Sequence, residues 1–529
     1  MSLWACVDDG VGAARKDRSM NDPEFDTPSD PEFDTPSDTE SDAVSTTAEG
    51  IDPADLEACL RVLRQAGSLD KNHPDSIVVQ RASGQLFKDL KRSRRIAARN
   101  AKSEADRAVV ASTATGSPDR IDDETAGLSL TARASGEYAG TLIRARPCYI
   151  CKQRYTLVDA FYHQLCPECA AFNRGKRDAR TDLTGRRALL TGGRAKIGMY
   201  IALRLLRDGA HTTITTRFPN DAVRRFSAME DSADWLHRLR VVGIDLRDPA
   251  QVVALADSVA AEGPLDILVN NAAQTVKRSP GSYSALIDAE SEALPAGSDV
   301  ATISFGKTSE AHPASLAKSL PHSDEGAVSG EALSAEAVSS LALIAGSATA
   351  ERIEKGIAID AGGLVPDLAG TNSWIHTVEQ VDPVELLEVQ LCNSVAPFIL
   401  VSRLRASMQA STARRKYIVN VSAMEGQFSR AYKGPGHPHT NMAKAALNML
   451  TRTSAKEMLE HGILMSAVDT GWITDERPHP TKMRLADEGF HAPLDLVDGA
   501  ARVYDPIVQG ELGVDLYGKF LKDYQPSPW

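Results

Sequence analysis

The sequence predicts an α/β protein with a doubly wound parallel sheet, preceded by a helical region and a small metal module. From Asp182 onward, short apolar segments alternate with helical segments, a pattern typical of parallel strands covered by helices on both faces. A glycine-rich turn, Gly192 to Gly198, follows the first apolar segment. Two CxxC pairs lie between Cys148 and Cys169, ahead of the sheet. The chain is therefore expected to fold as more than one domain.

Composition limits the possible classes of protein. The chain has 529 residues and a net charge of −12. A chain of this length is expected to fold into about three domains. The acidic total argues against a protein whose main task is to coat nucleic acid, so a nucleic-acid partner is not expected. No segment approaches about 18 consecutive apolar residues, so no membrane span is expected. The first residues, MSLWACVDDG, lack the apolar run of a signal peptide, and a cytoplasmic location is predicted.

Three segments precede the metal module. Residues 1–50 are predicted to be a disordered acidic tail, in which DPEFDTPS at 22–29 is repeated at 30–37. Residues 51–110 read as helical, and a helix begins after Asp52. Their basic run, Lys88 to Lys102, is interpreted as a solvated helix face, with contact to an acidic protein partner or to nucleic acid as the alternative. Residues 111–145 are rich in Ala, Ser, Thr and Gly and are predicted to be a linker.

The metal module is predicted at residues 146–175, where two cysteine pairs form a CxxC–x14–CxxC pattern. Four thiolates can complete a closed tetrahedral shell around zinc, which makes the site structural. The predicted ligands are Cys148, Cys151, Cys166 and Cys169. His163 is a spare candidate. The alternatives are reduced cysteines without metal, or redox-active pairs.

The glycine turn lies between a strand, Arg187 to Thr191, and a helix with an apolar stripe. Glycine lets the backbone approach a pyrophosphate, and the helix N-terminus attracts its charge. The second strand ends at Thr216 with Arg217 after it, where an NAD site would carry an acidic residue. Together with Arg194 and Lys196 in the turn, this arginine favours NADP(H) over NAD(H). Asp245 and Leu246 follow the third strand and suit the adenine amino group.

The alternation of strands and helices is interrupted once. Residues 182–276 form the predicted first half of the sheet domain, and residues 373–529 form the second half. Between them, residues 277–372 are rich in Ser, Ala, Glu and Gly with little periodicity. Because a structureless loop of this length is exceptional inside a compact domain, the segment is predicted to be a low-complexity insertion.

With these segments in place, the chain resembles the short-chain dehydrogenase/reductase family, whose fold is Rossmann-like. The family's TGxxxGxG appears as TGGRAKIG, and its NNAG appears as NNAA at 270–273. The helix LLEVQLCNSVAPF places the family asparagine at Asn393, and TNMAKAAL places the family lysine at Lys444. The loop after the sixth strand appears as VDTGWIT at 468–474. The resemblance covers roughly 182–276 and 373–529 and implies a homo-oligomer, as is common in the family.

The turn and the resemblance together define a set of candidate cofactor-binding residues. They are Thr191, Gly192, Gly193, Arg194, Lys196, Ile197, Gly198, Arg217, Asp245, Leu246, Asn271, Ala272, Lys444, Gly471, Ile473 and Thr474.

The catalytic pattern departs from the family at two positions. Thr440 stands where the family has its proton-donating tyrosine, and an aliphatic hydroxyl is a much weaker acid than a phenol. Ala423 replaces the family serine, and Ser422 lies one residue early. The loop from Gln427 to His439 could supply Tyr432, His437 or His439 as a substitute acid. The alternative is that the two histidines only decorate a Gly/Pro-rich turn.

The predicted function is an NADP(H)-dependent oxidoreductase that acts on an unknown carbonyl or alcohol substrate. The candidate catalytic residues are Lys444, Asn393, Tyr432, Ser422 and Thr440. The alternative is a catalytically degenerate NADP(H)-binding protein that acts as a sensor or interaction module, with its N-terminal region as the contact surface for a protein partner.

Overall fold

A computed structural model describes residues 50–118, 120, 130–294, 300–306, 308–316, 360, 362–430 and 433–529. The predicted acidic tail, 1–50, lies outside the described residues except for Gly50. The chain divides into two units, residues 1–93 and residues 94–529. The boundary falls inside a long helix.

The first unit contains two helices where the sequence predicts a helical region. Helix α1 spans Pro53–Ser68, and the Asp52 side chain caps it by accepting hydrogen bonds from the backbone N–H groups of the first turn. Helix α2 spans Pro74–Ala111 and continues into the second unit. The basic run on α2 is exposed, which both a solvated face and a partner-contact face require.

The centre of the second unit is a sheet formed by nine of the described strands, and it confirms the predicted doubly wound parallel fold. Its strands are β3 (Arg187–Leu190), β4 (His211–Thr216), β5 (Leu239–Gly243), β6 (Ile267–Asn270), β7 (Ala301–Ser304), β8 (Lys416–Ser422), β9 (Ile463–Asp469), β10 (Phe520–Lys522) and β11 (Gln525–Ser527). Their order is β11-β10-β9-β8-β6-β3-β4-β5-β7. All neighbours are parallel except the terminal hairpin of β10 and β11. The order reverses at β3, so a crevice opens beside the carboxyl ends of β3 and β6.

Helices cover both faces of the sheet. One face packs against α4 (Lys196–Arg207), α5 (Pro219–Ser227) and a later helix, α13 (Leu496–Glu511), through a buried cluster that includes Leu205, Phe226 and Ile507. The other face packs against α6 (Pro249–Ala261) and the later helices α10 (Ala396–Gln409) and α11 (Pro438–Leu459). These two apolar layers bury the continuous Val, Ile and Leu runs that predicted the parallel strands.

The insertion, predicted as a low-complexity segment, contributes regular structure in its described parts. These parts contain α7 (Ser284–Ser291), β7 and the short α8 (Pro313–Leu316). Strand β7 pairs in parallel with β5 and extends the sheet by one strand. All four β7 residues are exposed, so the short run Ala-Thr-Ile-Ser has no buried face that marks it as a core strand. The strand exists because the edge of β5 offers backbone hydrogen bonds, which do not depend on side chains.

The predicted linker, 111–145, requires a correction. Thr113, Ala114 and Thr115 are fully buried, and the Ala114 and Thr115 amides donate to the carbonyl oxygens of Ala160 and Phe161. Strand β1 (Tyr138–Pro147) begins inside the predicted linker and pairs with β2 (Arg154–Asp159). These two strands and α3 (Pro167–Arg177) form the cysteine module. A run of small residues in a sequence is typical of a linker, but in this structure these small side chains allow the segment to pack closely against the backbone of the module.

The second half of the sheet domain contains a long apolar helical stretch. It consists of α9 (Pro383–Gln390), a π-helical turn (Leu391–Val395) and α10. Among the described residues, this stretch, Pro383–Gln409, is long and apolar enough to cross a membrane by length and composition alone. It packs against the sheet and α6, and 56% of its apolar window is buried, so we assign it to the core. A further helix, α12 (His479–Asp487), follows β9.

Candidate functional site

The glycine turn between β3 and α4 requires glycine at two close approaches. Gly192 has a φ of +69°, and a Cβ there would lie 2.9 Å from Ala272 Cα. A Cβ on Gly198 would collide with the carbonyl oxygen of Gly192. Thr191 Oγ1 accepts hydrogen bonds from the backbone N–H groups of Asn271 and Ala272, each at 3.0 Å. The turn is thus held tightly against the end of β6, as a phosphate-binding turn must be.

Lys196 occupies the position where the family pattern has its middle glycine, and the backbone explains that pattern. Its φ is +53°, in the left-handed region that glycine adopts most easily. Its ammonium lies 3.3 Å from Asp360 Oδ2, a carboxylate supplied by the insertion. The insertion therefore contacts the glycine turn directly, which no local sequence signal indicated.

The three cations predicted to favour NADP(H) have different surroundings. Arg194 forms an ion pair with Asp221 and donates to the carbonyl oxygen of Gly362 at 2.6 Å, so its charge is balanced within the protein. Lys196 is balanced by Asp360. Arg217 is exposed, and its guanidinium lies over the rings of Phe218 and Tyr283. Among the described residues no carboxylate forms an ion pair with Arg217, so this arginine has the charge best placed for a phosphate.

A cavity of about 600 Å³ opens at the carboxyl ends of β3, β4, β5 and β6. It is lined by most of the predicted cofactor-binding residues: Gly192, Arg194, Lys196, Ile197, Gly198, Arg217, Asp245, Leu246, Asn271, Ala272 and Thr474. Sequence reasoning missed several further lining residues, among them Tyr283, Gly362, Gln274 and Cys392. Two of these come from the insertion, which only the folded chain brings to this place.

The remaining predicted cofactor residues lie outside this lining. Gly193 donates to the carbonyl oxygen of Thr215 at 3.1 Å, and a Cβ there would lie 2.6 Å from Ile214, so it serves packing against β4. Thr191 anchors the turn, as described above. Gly471 turns the loop after β9 with a φ of +79°, and Ile473 is buried in an apolar cluster beside that loop.

Asp245 is held as a carboxylate. Burial raises the pKa of Asp245, but the hydrogen bonds and charge of Arg247 outweigh this effect and lower the pKa to about 2. Its Oδ2 also lies 3.4 Å from His312 Nε2, in the insertion. The carboxylate therefore stays a hydrogen-bond acceptor, and its contact with an adenine amino group stays a prediction.

Asn393 lies in the π-helical turn between α9 and α10, where an extra residue per turn redirects its side chain. Its Oδ1 accepts from the Gln274 N–H at 2.7 Å, and its Nδ2 donates to the Gln274 carbonyl oxygen at 2.9 Å. Asn393 is buried, and these two hydrogen bonds join the π-helical turn before α10 to the segment after β6. In this structure both of its polar atoms serve that link.

Lys444 lies on α11 and is buried. Its Nζ donates to the carbonyl oxygen of Val421 at 2.8 Å, and burial lowers its pKa to about 8. Thr440 lies one helical turn earlier, and its buried Oγ1 has no hydrogen-bond partner among the described residues. The structure thus brings Lys444 and Thr440 together on one helix, as the motif implies.

Ser422 does not fit a catalytic role in this structure. Its Oγ donates to Asn448 Oδ1 at 2.6 Å, and Asn448 Nδ2 donates to the carbonyl oxygen of Gly426 at 2.9 Å. This buried chain of hydrogen bonds joins the end of β8 to α11, so we correct the assignment of Ser422 to a structural one. The one-residue offset from the family position places the hydroxyl against the helix.

The substitute acids predicted in the loop before α11 separate into three cases. Tyr432 lies outside the described residues. His437 has a φ of +43°, stacks on Trp374 with ring centroids 4.0 Å apart, and places Nδ1 2.8 Å from the Trp374 carbonyl oxygen. His439 is buried, and neither ring nitrogen has a partner among the described residues. His437 therefore holds the turn, whereas the His439 ring is buried beside Thr440 and both of its nitrogens lack a partner among the described residues.

The four predicted metal ligands form one cluster. The Sγ atoms of Cys148, Cys151, Cys166 and Cys169 all lie within 4.8 Å of one another, and Cys151 Sγ lies 3.7 Å from Cys166 Sγ. Sulfurs about 2.3 Å from a tetrahedral zinc ion have such spacings, so the set fits a zinc ion. His163 Nδ1 lies 2.8 Å from Thr115 Oγ1, and His163 is absent from the cluster.

The sequence has recognisable relatives. Residues 186–292 match the family model for short chain dehydrogenases. The chain is 30% identical over 374 residues to an uncharacterized protein of Acanthamoeba polyphaga mimivirus, a match that covers 68% of this chain and 71% of the viral protein. A segment of 91 residues is 42% identical to a probable oxidoreductase of Streptomyces antibioticus, which covers 17% of this chain and 30% of that protein.

Solved structures are also similar to this chain. A carbonyl reductase from chicken fatty liver with NADPH bound has 17% identity and a TM-score of 0.38, with coverage of 66% of this chain and 100% of that chain. A short chain dehydrogenase from Burkholderia cenocepacia in complex with NADP has 19% identity and a TM-score of 0.39, with coverage of 65% and 97%. The family model, the long viral match and the ordered motifs around the sheet together lead to one assignment: the chain belongs to the short-chain dehydrogenase/reductase family of oxidoreductases.

Proposed function

We propose that this chain is an NADP(H)-dependent oxidoreductase that acts on a carbonyl or alcohol substrate. The observation that carries the proposal is the cavity at the carboxyl ends of β3 to β6, with the glycine turn at one wall and Arg217 at its rim. A ligand of dinucleotide shape fits at this kind of crevice because the helix N-terminus and backbone N–H groups favour phosphate there.

In this proposal different residues of the cavity bind different parts of the cofactor. The backbone of the glycine turn and the N-terminus of α4 bind the diphosphate. Arg217 binds the 2′-phosphate, because its guanidinium is exposed and its described contacts are aromatic rings and one hydroxyl. The Asp245 carboxylate and Leu246 receive the adenine, and Thr474 contributes to the cavity lining. The nicotinamide supplies or accepts the hydride when it is bound.

Lys444 anchors the cofactor at the reacting end. Its buried ammonium can donate to ribose hydroxyls while it keeps its hydrogen bond to Val421. Because burial lowers its pKa to about 8, the charge is present at neutral pH and is lost in mildly alkaline solution. The ammonium also favours the anionic form of a neighbouring acid, which is the role of the lysine in this family.

The proton is moved by a residue other than Thr440, whose aliphatic hydroxyl is too weak an acid. Among the described residues we propose His439, which adjoins Thr440 and has no partner on either ring nitrogen. Burial lowers the pKa of His439, so the neutral ring predominates at neutral pH and can accept the proton of an alcohol. Tyr432 stays the alternative predicted from the sequence.

We further propose that the cysteine cluster holds a structural zinc ion, because four thiolates leave no position open for water. A cytoplasmic location suits this cluster, since thiols stay reduced there.

We also propose that the chain forms a homo-oligomer through the outer face of α10 and α11. Phe398, Met442 and Met449 on these helices are more than half exposed, and such apolar groups are typical of a contact surface.

The first experiment is a fluorescence titration of the purified protein with NADPH and with NADH. NADPH is expected to bind more tightly, and Arg217→Ala is expected to weaken NADPH by about 10- to 100-fold, the value of a charge-assisted hydrogen bond, with little effect on NADH. Arg207→Ala is the matched control, because Arg207 pairs with Asp231 at the other end of α4. If neither cofactor binds, the proposal is wrong.

The second experiment adds aldehydes, ketones and quinones and follows NADPH oxidation. Turnover is expected, and its loss in His439→Ala but not in Tyr432→Phe would assign the proton transfer to His439. The reverse pattern would assign it to Tyr432. Tight binding of NADPH without turnover on a broad panel would instead support the sensor or interaction protein.

A further inference from the structure

The loop after β9 connects the cavity to the cysteine module. It turns at Gly471, whose N–H donates to Asp469 Oδ1 at 2.9 Å. Thr474 lines the cavity. Ile473 lies close to Gly499 on α13, and Ile197 of the glycine turn reaches the same glycine, where a Cβ would lie 3.2 Å from Ile197 Cδ1. One side of this loop therefore belongs to the proposed cofactor site.

The other side of the loop contacts the cysteine module. Tyr149, between Cys148 and Cys151, accepts a hydrogen bond from the Trp472 N–H at its hydroxyl oxygen, at 2.9 Å. The Tyr149 backbone N–H in turn donates to the Gln164 carbonyl oxygen at 2.8 Å, inside the module. The tyrosine is thus fixed at its backbone by the module and at its hydroxyl by the loop.

The packing around this contact is continuous. Ile473, Leu494 and Leu496 are buried in one apolar cluster with Cys148, Cys166 and Tyr162. The Leu494 N–H donates to the Trp472 carbonyl oxygen at 3.3 Å. Both backbone groups of Trp472 therefore have partners, and one of the two partners is the Tyr149 hydroxyl.

The chain that follows the loop is held by the same module and by the segment before it. Arg120 donates to the carbonyl oxygen of Ala492 at 2.7 Å and to that of Leu494 at 2.5 Å. Tyr162 donates its hydroxyl proton to Asp498 Oδ1 at 2.6 Å, at the start of α13. The segment between β9 and α13 is thus hydrogen-bonded to the cysteine module at both of its ends.

We propose that the cysteine module sets the position of the loop Thr470–Thr474 for cofactor binding, and that Tyr149 is its positioning residue. The effect on the cofactor rests on the proposed function, whereas the effect on the loop does not. A metal ion on the four thiolates closes the turn Cys148–Cys151 and so fixes where the Tyr149 hydroxyl lies. A module that looks like a separate appendage is then part of the cofactor site.

The test compares Tyr149→Phe with Tyr155→Phe. Both variants keep the ring and remove one hydroxyl, but the Tyr155 hydroxyl donates to the His163 carbonyl oxygen inside the module, at 2.7 Å, and does not reach the loop. Hydrogen exchange at the Trp472 amide is measured without cofactor, and NADPH affinity is measured by fluorescence. Tyr149→Phe is expected to speed exchange at Trp472 by about fivefold or more, as loss of one ordinary hydrogen bond implies, and to weaken NADPH by a similar factor.

Tyr155→Phe is expected to leave both measurements at the wild-type values. Removal of the metal by a chelator is expected to speed exchange at Trp472 in the wild-type protein, with much less further change in Tyr149→Phe, because both changes act through one contact. Unchanged exchange in Tyr149→Phe, or equal effects of the two tyrosine variants, would overturn the inference. If the wild-type protein binds no NADPH, the proposed function fails, but the exchange comparison still decides the position of the loop.

Discussion

Replacing Lys196 by alanine and by glycine is expected to separate two contributions to the free energy of unfolding. Lys196 adopts a φ of +53°, which is unfavourable for any residue with a Cβ. Its ammonium also pairs with Asp360 Oδ2 at 3.3 Å. Alanine removes the ion pair and keeps the backbone strain, whereas glycine removes both. The difference between the two variants therefore reports the strain, less the extra conformational entropy that glycine loses on folding.

The structure gives the size of each contribution. Asp360 is 8% exposed in its side chain, and its Oδ2 has no hydrogen-bond partner among the described residues, so loss of the lysine leaves a buried carboxylate oxygen without its ion-pair partner. Such an oxygen costs about 1–3 kcal/mol. The left-handed backbone costs about 1 kcal/mol for a residue with a Cβ. Lys196→Ala is therefore expected to lower the free energy of unfolding by about 1–3 kcal/mol, and Lys196→Gly by about 1 kcal/mol less.

The assay is urea-induced unfolding at neutral pH in one buffer for all variants. Asp360→Asn in the Lys196→Ala background removes the unbalanced charge and is expected to recover part of the lost stability, because Oδ1 keeps its two backbone hydrogen bonds from Gly362 and Leu364. If Lys196→Ala proves as stable as Lys196→Gly, the argument from the left-handed backbone is wrong. If Asp360→Asn recovers nothing, the ion pair with the insertion does not stabilise the fold.

Three further outcomes are expected. Because burial lowers the pKa of Lys444 to about 8, its charge is present below that pH, and NADPH affinity should fall as the pH rises from about 7 to about 9. Lys444→Met should bind NADPH weakly at both pH values. An equal pH dependence in this variant would contradict the role of the lysine charge. Cys169→Ser should bind less than one zinc ion per chain by metal analysis, whereas Cys59→Ser, at an exposed cysteine outside the cluster, should match the wild type. Phe398→Glu should shift the protein toward monomer in sedimentation, while Phe428→Glu, at an even more exposed loop position, should not. An unchanged oligomer in the first variant would rule out the α10 surface.

Local patterns in the sequence were sufficient for the features that depend on neighbours along the chain. The CxxC spacing predicts four sulfurs that the fold brings within 4.8 Å, because each pair lies on one turn of backbone. The strand, glycine turn and helix around Gly192 predict the crevice, since the same residues that allow close approach form the cavity wall. The continuous apolar runs predict the buried strands, because both faces of a parallel sheet are covered by helices.

Contacts between distant segments were decided only by the tertiary structure. The pairing of β7 with β5 and of Asp360 with Lys196 joins an irregular insertion to the sheet domain, and neither contact has a pattern of its own in the sequence. The hydrogen bond of Ser422 to α11 depends on the face on which the strand ends, which a shift of one residue reverses. The support of the loop after β9 by Tyr149 joins residues more than 300 positions apart. Residue type and spacing predict which chemistry a segment can perform, but charge balance and backbone partners across the molecule depend on packing that no single segment encodes.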